Sequence, residues 1–393
     1  MHATLCAVRD HPHVNPFDFR GRLQRAGAAL LVAGADALLI SHLPNLRYLS
    51  GLEATAGSGL LTGDGRLFLL VDPRYEAAAA ARAEEVGPDL VHPVATADVS
   101  ASTWLASRCA SDGIGRVALE SRVLTLHAAR LIEQALAAVG WSGALIDQPL
   151  DIVEHARRVK DAVELALLRE GGARLSEAAR GILADGVARV GRTELEVAAD
   201  IDARVRAVGF SRAAFDTIVA SGPRSAFPHA RPTDRRLEAG EVVVLDFGGV
   251  YGGYCVDLTR TVCLGLPSAE VDRQYHAVRL AQQAGIAAVR PGTTPADVDR
   301  AARQVLEAAG LGETFGHGTG HGLGLEVHEA PRLARPRPED AAQPPLEAGV
   351  VCTIEPGAYV TGRAGIRIED DVVVTAYGHE QITDVPLGWP TAH

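Results

Sequence analysis

The stretch richest in chemistry-bearing side chains is Gly316–Glu329, which reads G-H-G-T-G-H-G-L-G-L-E-V-H-E. Three imidazoles, His317, His321 and His328, alternate there with glycines that let the backbone pass close to a bound group. Neutral imidazole is the commonest metal ligand and the usual acid or base near neutral pH. Taken alone, the stretch reads equally well as a glycine-rich turn with solvated histidines. Four carboxylates elsewhere change that balance. Asp246 and Asp257 lie on successive predicted strands, and so do Glu355 and Glu369.

The two carboxylate pairs sit in segments that look like copies. Leu237-Glu-Ala-Gly-Glu-Val-Val-Val-Leu-Asp246 matches Leu346-Glu-Ala-Gly-Val-Val-Cys-Thr-Ile-Glu355, and Gly248 and Gly357 follow two residues on. Upstream, Gly191-Arg-Thr193-Glu-Leu-Glu196-Val197 resembles Gly292-Thr-Thr294-Pro-Ala-Asp297-Val298, two capping-box helix starts, the second with Pro at the first helical position. Gly209 and Gly310 close the two helices. A lone Leu-Glu-Ala-Gly match would be only a turn before a strand, but two matches in the same order point to internal duplication. Halves packed about a pseudo-two-fold axis would bring Asp246 and Glu355, each ending its strand, into one central space. In the first half the glycines from Gly248 to Gly253 read as the turn to the next strand. Period-two alternation then puts Cys255, Asp257 and Thr259 on one face, and Arg367 and Glu369 on another.

Four converging, half-buried carboxylates need a cation, because like charges at short range raise one another's pKa. Arg260, Arg363 and Arg367 are the nearby guanidiniums, too few and too scattered to neutralise the set. One histidine added to four carboxylates makes an oxygen-rich set suited to Mn, Co or Zn ahead of Cu. Carboxylates that can bridge suggest two ions about 3.5–4 Å apart.

The elements needed to hold these groups are legible along the chain. At 393 residues there is room for two domains, expected at 1–150 and 151–393. In the first, Arg20–Val32 has helical spacing, Ala37–Ile40 reads as a strand, and Leu60–Leu61 and Leu67–Val71 flank a hairpin turn. Tyr75–Glu85 reads as a helix, Val117–Glu120 as a strand and Leu124–Val139 as a helix. This alternation predicts an α/β domain with a largely covered sheet and no ligand cluster of its own. The boundary is expected near Pro149–Asp151, followed by an amphipathic helix from about Lys160 to Leu183. His11-Pro-His13 reads as a terminal tail.

Composition narrows the function class. A net charge of −11 with no Lys/Arg cluster argues against nucleic acid. The apolar run Ala26–Ile40 is broken by Asp36 and too short to cross a membrane. Five cysteines without a C-x-x-C read as reduced thiols, and with no signal pattern the expected setting is the cytoplasm. Nucleophilic catalysis is disfavoured, since no G-x-S-x-G occurs and Cys255 has no basic partner nearby in sequence.

Asp246 with Asp257 eleven residues on, G-H-G-L-G with V-H-E, T-I-E-P-G and R-I-E-D together resemble the pita-bread metallopeptidases, the family of methionine aminopeptidase, aminopeptidase P and prolidase. The match runs from about Asp216 to Asp371, and the first 150 residues resemble the creatinase-like N-terminal domain of the proline-directed members. The resemblance implies an α/β N-terminal domain and an α+β pita-bread C-terminal domain with an internal pseudo-two-fold repeat. It makes Asp246 a ligand of one metal, His321 and Glu355 ligands of the other, and Asp257 and Glu369 bridges. His328 would contact substrate near the scissile bond, His229 would help bind the substrate or shuttle protons, His317 would be an additional active-site histidine, and Arg367 a supporting arginine. Two divalent ions per subunit are implied, Mn²⁺ first, with Co²⁺ or Zn²⁺ as alternatives. A water bridging them is hydroxide-like near neutrality and would attack the carbonyl before proline, with Glu355 moving its proton to the leaving nitrogen.

The activity expected from the resemblance is hydrolysis of Xaa-Pro dipeptides, with aminopeptidase P activity on longer Xaa-Pro peptides as the runner-up. An Xaa-Pro bond has no amide N–H to recognise, so apolar walls with His229 and His328 must select it. Methionine aminopeptidase does not need so large an N-terminal domain, and creatinase-like relatives work without the metal set. From another class, a non-catalytic pita-bread binding module would be expected to have lost ligands. The resemblance also implies a homodimer.

Overall fold

The computed structural model describes residues 17–97, 99–147, 151–337 and 342–389, which divide into two compact units between Val153 and Glu154. Cys6, His11, His13 and Pro149 lie outside the described residues.

The first unit alternates α1 (Phe19–Val32), β1 (Ala37–Ile40), α2 (Leu43–Ser50), β2 (Ser58–Thr62), β3 (Leu67–Val71), α3 (Glu76–Val86), β4 (Val91–Ala95), α4 (Ala101–Asp112), β5 (Arg116–Leu119), α5 (Leu126–Ala138) and β6 (Ala144–Ile146). Its sheet runs β4-β3-β2-β1-β5-β6, with β2 antiparallel to both neighbours and the other pairs parallel. Apolar runs such as Leu67–Val71 are buried throughout, as strands covered on both faces should be. The helix expected from Tyr75 starts one residue later, and α2, α4, β4 and β6 were not anticipated.

The helix expected from about Lys160 to Leu183 is α7 (Ala162–Ala184), and a short α6 (Ile152–Arg158) precedes it. Asp161 starts α7 as its N-cap: its side chain accepts from Val163 and Glu164, and Glu164 bonds back to Asp161 N–H. After α7 come α8 (Glu194–Ala207), β7 (Arg212–Ala213), β8 (Ile218–Ser221), and the long hairpin β9 (Val242–Tyr251) and β10 (Tyr254–Cys263). The second half repeats the plan with α9 (Ala269–Ala288), α10 (Pro295–Ala308), β11 (Gly320–Gly322), β12 (Glu329–Leu333), β13 (Val351–Ile354), β14 (Gly357–Val360), β15 (Ala364–Arg367), β16 (Asp370–Val374) and β17 (His379–Gln381).

The repeat is real, but its copies differ in ways the sequence did not disclose. Thr193 and Glu196 form a full capping box, whereas Asp297 is too short to reach back and instead accepts from the Thr294 hydroxyl. Asp246 does not end its strand. Residues 242–251 stay in register with β10, and only Gly252 and Gly253, both at positive φ, make the turn. In the second half the corresponding strands are interrupted: β13 pairs with β16, β14 with β15, and Glu355 and Glu369 occupy the two gaps.

Candidate functional site

The β9–β10 register sets Asp246 opposite Thr259 and Asp257 opposite Gly248, so all three side chains project from one face of the hairpin. From the other half come Glu355, whose amide donates to Thr319 O at 2.7 Å, and Glu369, whose amide donates to Thr259 O at 3.1 Å. The gaps in the second hairpin thus turn two backbone amides outward, one onto the histidine segment and one onto β10. Thr259 Oγ1 also donates to Glu369 Oε2 at 2.6 Å.

His321 sits on β11, where the register against β12 shifts between His321 and Gly322. A side chain at Gly320 could not fit, since its Cβ would lie 1.9 Å from Thr353 O, and this close approach brings β11 onto β13. His321 Nδ1 faces Gly322 O at 3.1 Å and must carry the proton there, leaving Nε2 as a lone pair directed at Glu355, 3.4 Å away. Burial holds the His321 imidazole neutral, down to about 3, so this contact is no ion pair.

Asp257, His321 and Glu369 offer ligand atoms lying within 4.8 Å of one another. Asp246 Oδ1 and Glu369 Oε1 are buried without any hydrogen-bond partner, a costly state for carboxylate oxygens unless a cation joins them. Burial first, and then the neighbouring carboxylates, push Asp257 and Glu369 well above the usual carboxylate range. Burial likewise lifts Glu355 to about 8, with Arg367 opposing. Of the three arginines considered, one enters this set. Arg260 pairs with Asp370, Arg363 pairs with Glu270 at the surface, and Arg367 holds Asp246 Oδ2. One guanidinium among four carboxylates leaves a negative excess. These residues therefore fit divalent cations.

Arg367 is a hub. Besides Asp246, its guanidinium donates to Pro228 O at 3.2 Å, Thr259 Oγ1 at 3.3 Å and the Tyr359 hydroxyl at 2.9 Å. Tyr359 in turn donates to His317 Nε2 at 2.8 Å, because His317 Nδ1 is committed to Gly318 O. Burial raises the Tyr359 phenol to about 12 and lowers His317 to about 4, so the relay is neutral at both ends. Tyr359 was missed: it belongs to no metal-ligand pattern, and only its place opposite Gly365 on the β14–β15 hairpin brings it to the site.

All nine residues singled out from the sequence, His229 and His328 included, line one cavity of about 630 Å³. The His328 ring meets His321 edge-on at 4.2 Å. Phe215, Ile218, Pro228 and Val327 supply apolar wall, and Arg231 and Arg332 supply positive charge. Cys255 is buried, its thiol pushed up to about 12 by burial, which removes it as a nucleophile.

Residues 166–376 match the model of metallopeptidase family M24, and residues 22–159 match the creatinase/prolidase N-terminal domain. The chain is 36% identical over 358 residues, 90% of its length and 95% of the relative's, to an uncharacterized peptidase of Bacillus subtilis. Among solved structures it resembles an Xaa-Pro dipeptidase from Bacillus anthracis, at a TM-score of 0.85 with 33% identity over 94% of this chain and 99% of that one. It also resembles an X-Pro aminopeptidase from Thermotoga maritima, at 0.77 with 34% identity over 92% and 98%.

Proposed function

The chain belongs to metallopeptidase family M24, and from that premise we propose that it hydrolyses Xaa-Pro dipeptides at a two-metal site. The observation that carries the reading is the approach of Asp257, His321 and Glu369 beside buried oxygens that lack partners. Asp257 and Glu369 would bridge two ions, Asp246 completing one and His321 with Glu355 the other. When bound, such ions supply an acidified water and polarise the scissile carbonyl.

The remaining work falls to the chain's own groups. Glu355 takes the proton of the attacking water and returns it to the leaving proline nitrogen. His328 and His229 flank the scissile bond. Phe215, Ile218, Pro228 and Val327 offer apolar surface for a ring without an N–H, and Arg231 or Arg332 meets the free carboxylate of a dipeptide. Mn²⁺ is the ion we assign first. The same proposal includes a homodimer and a cytoplasmic setting, to be read from sedimentation and cell fractionation.

Similar identity to a dipeptidase and to an aminopeptidase leaves peptide length as the point to test. Protein stripped with a chelator and reloaded with Mn²⁺ should release alanine from Ala-Pro and leave Ala-Pro-Ala nearly untouched. Comparable cleavage of both would move the assignment to an aminopeptidase P activity. Cleavage of neither, with metal bound, would remove the proline specificity.

A further inference from the structure

The segment that carries His317 and His321 has no strand partner before Gly320, yet its backbone is pinned at three alternate points by one buried ion pair on α10. Arg303 donates to Phe315 O at 2.9 Å and His317 O at 2.8 Å, and its guanidinium lies over the Phe315 ring at 4.2 Å. Asp299 accepts from Thr319 N at 3.1 Å and from Thr319 Oγ1 at 3.0 Å. The two side chains, one helical turn apart, hold each other through bonds of 2.9 and 3.0 Å. Both are buried.

We propose that Asp299 and Arg303 are the positioning residues of the metal site, fixing the backbone from which His317 and His321 project. Thr319 makes the coupling direct, since its carbonyl receives the amide of Glu355. The clamp therefore sets one imidazole and one carboxylate together, both assigned to the same ion. A planar fork is required, because two carbonyls two residues apart need two N–H groups of fixed geometry, which lysine lacks. Stability alone would not call for this arrangement, because a buried ion pair contributes little net folding energy over apolar side chains of the same volume.

The proposal rests on the metal reading above, so the test measures metal binding in the full chain and not only turnover. Metal-stripped wild type, Arg303→Lys and Asp299→Asn would be titrated with Mn²⁺ by electron paramagnetic resonance, with folding followed by circular dichroism. Arg303→Lys should stay folded and bind Mn²⁺ about 10- to 100-fold more weakly, the range for losing a group that orients ligands. Asp299→Asn keeps an acceptor for Thr319 and should show a smaller loss. In reloaded enzyme, kcat should fall while KM for Ala-Pro changes less than twofold. Folded variants that bind Mn²⁺ as wild type does would overturn the clamp. Wild type that binds no Mn²⁺ would overturn the metal reading and the clamp with it. Should Arg303→Lys fail to fold, Asp299→Asn and Thr319→Val, which removes only the hydroxyl bond, decide by the same titration.

Discussion

The two halves of the second unit make the same contribution to the cavity by different means. In the first half an unbroken hairpin of two ten-residue strands carries two aspartates, short side chains on a regular ladder. In the second the hairpin is cut twice, and the longer glutamates reach in from the gaps. The histidine loops differ in parallel. Glu194 on α8 gathers the loop around His229 with a single carboxylate, accepting from Ser221 N at 2.9 Å, Thr233 N at 3.0 Å and Arg224 Nε at 3.1 Å. In the second half α10 needs an ion pair, because both carbonyls and an amide of its loop must be satisfied. A duplicated fold has thus kept the position of each chemical group while changing the length of the side chain and the continuity of the strand beneath it.

The sharpest way to break this picture is to delete, from each half, the carboxylate proposed to bridge. Asp257→Ala and Glu369→Ala should both lower kcat on Ala-Pro by about a thousandfold or more, within the range for loss of metal-assisted and acid–base catalysis together. An Asp257→Ala enzyme that keeps most of its activity would mean the first half stands outside the reacting centre.

Exchanging side-chain length probes the geometry more finely. Glu355→Asp retracts a carboxylate whose backbone is fixed by Thr319, and Asp246→Glu overreaches from a strand that cannot yield. Each should cost about 100-fold in kcat/KM, a misplacement of about one ångström at a reacting centre, with melting temperature held within a few degrees. Wild-type rates for both would show that length and strand continuity are unrelated.

The smallest effect concerns pH and the metal-free protein. Carboxyls raised in the folded state stabilise it at low pH, and that contribution is lost as pH climbs from the unfolded value through the folded one. Histidines lowered by burial act in the opposite sense, their contribution being lost as pH falls below about 6.5. Glu355, lifted to about 8, still titrates above the histidine range, so metal-free protein should melt lower at pH 8 than at pH 7. Added Mn²⁺ should flatten the slope. Identical slopes with and without chelator would mean the cation does not relieve the buried charge.

Much of the site was legible because metal ligands are few in kind and their spacing follows strand and turn lengths. Asp246, Asp257, Glu355 and Glu369 could be matched through the Leu-Glu-Ala-Gly repeat, and the repeat implied their convergence. The groups that stayed hidden act across long sequence separations. Tyr359 works through Arg367 and His317, and Asp299 and Arg303 work through backbone atoms, which leave no trace in residue type. In the fold, hydrophobic alternation located β1, β3 and α1 well. It failed at Gly248–Tyr251, where glycine-rich sequence is strand because β10 pairs with it residue for residue.

The bond between Glu369 N–H and Thr259 O has a bearing on how the chain reaches its working state. These residues are 110 positions apart, as are the hydroxyl and carboxylate that reinforce the link. Making a contact so distant along a polypeptide carries the entropy cost of closing the intervening loop. Each half on its own carries only two of the four acidic groups. Until that loop is closed the two acidic pairs, one from each half, stay apart.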